Sequence, residues 1–138
     1  MGKPIVHFEV NVRDAKRSQS FYQSLFGWKI NANNSMNYGV VSTGSKKGIQ
    51  GGIGQVESDQ KPYTTFYIEV DNPQRYLDQA IQLGGRIVMP VTDVPNMVTF
   101  AQFADPDGNI IGLVKNTTPR ATTTTRRAPT KKSSLRRR

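Results

Sequence analysis

Histidine occurs once in this chain, at position 7. Glu9 stands two residues on and Asn11 four, and these three alternate with Val6, Phe8, Val10 and Val12. In an extended chain a period of two sends the sets to opposite faces. One face is apolar and wants a core; the other lines up an imidazole, a carboxylate and an amide. Those groups can move a proton or hold the polar atoms of a ligand. A related pattern returns at 63–71, where Thr65, Tyr67 and Glu69 share a face. If the two stretches meet, His7, Glu9 and Tyr67 converge. Glu9 and His7 would then form an acid–base pair, and Tyr67 could stabilise a developing oxyanion. A carboxylate next to an imidazole favours the charged ring and orients it, but a purely structural His–Glu pair has the same sequence signature. Thr65 and Glu69 are further candidates for ligand contact, with Asn11 and Glu69 nearer the rim. Tyr38 opens a later strand and could face either the ligand or the core.

The elements that must position these residues can be read in order. Residues 4–12 form a strand. Asp14 suits the cap of a helix that carries Phe21, Tyr22, Leu25 and Phe26 as an apolar stripe and ends at Gly27. Short strands follow at 28–31, 37–42 and 49–56, and a polar linker at 57–62. The second half starts with a strand at 63–71. Asn72-Pro73 is a cap followed by a residue suited to the first helical turn, and Tyr76, Leu77, Ala80, Ile81 and Leu83 give that helix its apolar face before Gly84-Gly85. Strands at 86–91, 98–104 and 109–115 complete the series, the last two joined by a tight turn at Asp105-Pro106-Asp107-Gly108. Met36, Met89 and Met97 read as core filler, and Trp28 as a packing residue with its indole N–H at an edge.

Strand, helix and three strands are thus followed by the same again. At an offset of 58, Phe8 falls on Phe66, Val12 on Val70, Arg17 on Arg75, Leu25 on Leu83 and Gly27 on Gly85. At an offset of 60, Gly48 falls on Gly108 and Gly52 on Gly112. Two copies of a βαβββ module are expected, over 1–57 and 63–116. The fold class is α+β: paired modules forming a curved eight-stranded sheet around a ligand cup.

Composition sets the outer limits. The chain has 138 residues, no cysteine and a net charge of +9. Disulfides and thiolate chemistry are excluded, and a cytoplasmic location is expected. Nothing resembles a signal peptide or a membrane span. Residues 1–119 carry eleven Lys or Arg against ten acids, whereas 120–138 carry eight and no acid. The domain is therefore expected over 1–119, followed by a disordered basic tail. That tail could make weak, salt-sensitive contact with nucleic acid or an anionic surface, or have no role of its own.

The order of motifs resembles the vicinal oxygen chelate superfamily, the group of glyoxalases, bleomycin-resistance proteins and extradiol dioxygenases. The resemblance is carried by His7-Phe8-Glu9-Val10, Ser20-Phe21-Tyr22-Gln23-Ser24-Leu25-Phe26-Gly27-Trp28, Gly51-Gly52-Ile53-Gly54, Thr65-Phe66-Tyr67-Ile68-Glu69-Val70-Asp71, Leu83-Gly84-Gly85 and Phe103-Ala104-Asp105-Pro106-Asp107-Gly108-Asn109. It implies a cup lined by the inner strand faces, a small organic ligand and a homodimer. In metal-using members it also implies a divalent ion held from the first and last strands of each module. Here those positions are His7, Gly52, Thr65 and Gly112. Only His7 is a ligand type in the usual sense, so a divalent metal is not expected.

The expected function is a glyoxalase-like small-molecule-binding protein. If it is an enzyme, the reaction is metal-independent proton transfer of the lyase or isomerase type. The alternatives are a metal-dependent lyase or dioxygenase whose ligands include Glu9, Gln50 or Glu69, a drug-sequestering protein of the bleomycin-resistance kind, and a tail-driven nucleic-acid binder. The glycines of 48–54 lack the Lys-Ser/Thr and the helix of a phosphate loop. The acidic turn at 105–108 lacks the further acids of a calcium loop.

Overall fold

A computed structural model describes residues 2–116; the expected basic tail lies outside them. Eight strands form a single sheet in the order β2-β3-β4-β1-β5-β8-β7-β6. The first module supplies β1 (Ile5–Val12), α1 (Ala15–Phe26), β2 (Lys29–Asn31), β3 (Gly39–Ser42) and β4 (Gly51–Gln55). The second supplies β5 (Tyr63–Val70), α2 (Pro73–Gln82), β6 (Arg86–Val94), β7 (Val98–Ala104) and β8 (Ile110–Lys115). The order is symmetric about its centre. β1 pairs with β5 antiparallel, while β1 with β4 and β5 with β8 are parallel. The register bears out the repeat: Glu9 stands beside Gly52, and Tyr67 beside Gly112.

Local chemistry explains the element ends. The Asp14 carboxylate accepts the Arg17 N–H at 3.1 Å, and the Asn72 side chain accepts that of Arg75 at 3.2 Å. Gly27 closes α1 in the left-handed region, φ 70°. The loop between β7 and β8 is longer than a tight turn: Asp105 accepts from the backbone of Asp107 and Asn109 and from the Asn109 side chain. β3 starts only at Gly39, leaving Tyr38 in the preceding turn, and β6 runs on to Val94, beyond the expected 91.

The core is uneven. Val70, Leu77, Ala101 and Leu113 form a buried cluster between α2 and the second half of the sheet. Val41 and Ile53 are buried in the first half, but α1 has no buried residue. Its apolar stripe is not a core seam: Phe21, Leu25 and Phe26 are 57–58% exposed. Trp28 packs against Phe8, Tyr22 and Phe26 at ring-centroid distances of 5.3–5.5 Å. That aromatic stack joins the end of the helix to β1 through Phe8.

Candidate functional site

The inner face of the sheet bears a cleft of about 360 Å³ between the two modules. Its floor is built around Glu9. Oε2 accepts the Tyr38 hydroxyl at 2.8 Å. Oε1 accepts the Asn11 amide at 2.9 Å and the Tyr67 hydroxyl at 3.3 Å. Behind Tyr67, the buried Gln102 amide donates to the hydroxyls of Tyr67 and Tyr63, each at 3.1 Å. His7 Nε2 lies 2.9 Å from the Tyr38 oxygen. The Tyr38 proton is already directed at Glu9, so the network assigns a proton to Nε2, which donates to Tyr38.

Tyr38 reaches the floor from outside the regular strands. Asn34 Oδ1 accepts the backbone N–H of Met36 and of Tyr38, both at 3.1 Å, and Asn34 Nδ2 donates to the Tyr38 carbonyl at 2.8 Å. Asn37 takes φ 52°, a left-handed conformation that asparagine tolerates. The ring then lies over Gly52, where a Cβ would overlap its hydroxyl. The Tyr67 ring covers Gly112 in the same way. Each glycine leaves the space that one tyrosine fills.

Burial sets the protonation states. It pushes the His7 imidazole below its ordinary 6.5, and the opposing pull of Glu9 is the smaller effect. Burial thus favours the neutral ring and outweighs the pull of Glu9 toward the imidazolium. Tyr38 and Tyr67 are both pushed well above the usual phenol range, first by burial and then by the Glu9 charge. Both remain hydroxyl donors.

His7, Glu9, Tyr38, Tyr67 and Glu69 all line the cleft. Asn11 and Thr65 do not. Asn11 is 8% exposed and positions Glu9, correcting its expected place near the rim. The Thr65 hydroxyl donates to the Ile110 carbonyl at 2.6 Å and so ties β5 to β8. His7 and Glu9 make no direct hydrogen bond; Tyr38 links them. Met36 and Met97 line the mouth, 53% and 38% exposed, and Met89 is equally exposed elsewhere, so none of them is core filler. Sequence reasoning missed Gln102, Phe100 and Lys115. The strand alternation that puts Phe100 and Gln102 on one face of β7 was the signal for the first two.

The four positions that the resemblance assigns to metal ligands, His7, Gly52, Thr65 and Gly112, do not fit an ion here. Two are glycines roofed by tyrosine rings, and the third is a threonine tied to backbone. Among the described residues, no group of three His, Cys, Asp or Glu side chains could hold a metal.

The Glyoxalase/Bleomycin resistance protein/Dioxygenase superfamily is matched over residues 4–113. The chain belongs to that superfamily. It is 29% identical over 108 residues to a glyoxylase-like domain-containing protein of Didymella fabae, covering 73% of this chain and 84% of that one. It is 27% identical over 111 residues to CFP32 of Mycobacterium bovis, covering 76% of this chain but only 42% of the longer relative. A superfamily member from Vibrio splendidus has the same fold, with a TM-score of 0.54 at 18% identity over 83% of this chain and all of that one. No helix among the described residues is long and apolar enough to cross a membrane.

Proposed function

We propose that this superfamily member binds a small organic molecule in the cup without a metal ion. The observation that carries this reading is the cleft itself. Apolar side chains, among them Val40, Val98 and Phe100, face a floor whose polar atoms are held in place around Glu9. An apolar pocket with a few fixed polar groups suits a ligand of modest size. A thermal-shift screen of aromatic and glycopeptide compounds tests it. Binders should raise the melting temperature of the wild type, and the largest of these shifts should shrink in Tyr38→Phe and Glu9→Gln. No shift with any compound, or shifts undiminished in both variants for every binder, would contradict it.

A second reading, metal-independent proton transfer, is favoured by the chain from Glu9 through Tyr38 to His7. In this reading Glu9 takes a proton from the ligand. Tyr67 already donates to Glu9, which suits it to holding the carboxylate rather than to receiving an oxyanion. Exchange of an acidic C–H of a bound ligand in D₂O, followed by NMR, should stop in Glu9→Gln; undiminished exchange in that variant excludes the role.

A further inference from the structure

The proton inventory of the floor restricts what the cup can hold. The hydroxyls of Tyr38 and Tyr67 and the amide of Asn11 all donate inward to Glu9. His7 Nε2 donates to Tyr38, and Gln102 to the two tyrosines behind. What remains for a ligand is acceptors: the unprotonated Nδ1 of His7, the second lone pair of Glu9 Oε2, and Glu69 further along. A ligand that brings only acceptors finds no partner around Glu9, the cleft's remaining side-chain donor being the exposed Lys115, and burying its polar atoms on this floor is costly.

Charge points the same way. The cleft is lined by Glu9 and Glu69 against one cation, Lys115. Among the described residues the one ion pair, Arg75 with Asp71, lies away from the cleft. Glu9 is thus a carboxylate among aromatic and apolar side chains, compensated by hydrogen bonds and by no cation. A cation placed there gains both the Coulomb attraction, strengthened by the low local dielectric, and the nearby rings of Tyr38, Tyr67 and His7.

We infer that the ligand is an organic cation, a protonated amine on an apolar body. The ammonium sits on Glu9 between Tyr38 and Tyr67, and the body lies against Phe100, Val98 and the methionines at the mouth. This rests on the small-molecule reading above and narrows its ligand class. It also runs against the chain's net charge of +9, which by itself favours anions.

Three probes with one apolar body separate the possibilities: 1-naphthylmethylammonium, 1-naphthylmethanol and 1-naphthoate, titrated calorimetrically into the full chain at neutral pH and physiological salt. The ammonium should bind about tenfold more tightly than the alcohol, and the naphthoate most weakly. Glu9→Gln should remove the gap between ammonium and alcohol while the alcohol still binds. Lys115→Met, at an exposed position, should widen it and serves if Glu9→Gln does not fold. Equal affinity for ammonium and alcohol, or tightest binding of the naphthoate, overturns the cation inference and leaves the small-molecule reading standing. Binding of none of the three overturns both.

Discussion

The two modules share a chain path and divide the work differently. In the second, α2 sets Leu77 into the sheet, fully buried with Val70, Ala101 and Leu113. The equivalent of Leu77 in the first is Gln19, lying under Gly39 of β3, and α1 buries nothing completely. The cup shows the opposite bias. The first module contributes His7, Glu9 and Tyr38, whereas the equivalent positions in the second are Thr65, Tyr67 and, by the strand pairing, Phe100. One copy of the module anchors the fold, and the other carries most of the polar chemistry. Relaxed packing under α1 is compatible with a Tyr38 turn that must leave regular strand geometry, since dense packing tolerates little irregularity.

The largest effect should come from the anchor. Leu77→Ala should lower stability by about 2–5 kcal/mol in urea unfolding, through lost burial and a cavity. Gln19→Ala at the equivalent site should cost less than about 1 kcal/mol. Equal losses would remove the asymmetry. Next are the glycines beneath the tyrosines. Gly52→Ala and Gly112→Ala should each cost roughly 1–3 kcal/mol, because the new methyl displaces a ring. The first should also release Tyr38 from Glu9 and weaken binding of 1-naphthylmethylammonium. If Gly52→Ala binds that probe like the wild type, Tyr38 does not form the floor.

A smaller effect concerns pH. The folded-state value of His7 lies below the 6.5 of the free side chain. The unfolded chain therefore takes up the proton first. Stability from this source is complete above 6.5 and is lost as pH falls below it. Urea midpoints measured on either side of that value should fall on the acid side in the wild type, with a shallower slope in His7→Asn. An unchanged slope would place the titration elsewhere. The smallest effect is expected at the exposed end of α1, where Leu25→Ser should change stability by no more than about 0.5 kcal/mol.

How far the sequence could be read follows from the range of the interactions involved. The helix caps at Asp14 and Asn72 were legible because each contact reaches three residues along the chain. The repeat exposed the pairing of the modules, since Phe8 and Phe66 are related by it and stand side by side. Strand alternation then placed Glu9 and Tyr67 on one face. Tyr38 was ambiguous because its direction depends on the Asn34 side chain and on the left-handed Asn37, not on a period. The methionines were misread for a related reason: Met97 follows Asn96, also left-handed at φ 65°, in a turn that lifts it to the mouth. The glycines at 52 and 112 carried an unused signal. A missing side chain on the inner face of a strand implies that something else fills the space, and here two tyrosines do.

We propose that the Glu9 carboxylate, held by Tyr38 and Tyr67, lets this cup take its ligand without a metal ion. Calorimetric titration of 1-naphthylmethylammonium tests it most directly, using full-chain protein first stripped with a chelator and then supplied with Mn(II) or Zn(II). The same affinity is expected in both states, with no stoichiometric metal uptake. Binding that appears only after a metal is restored, one ion per chain, would contradict it.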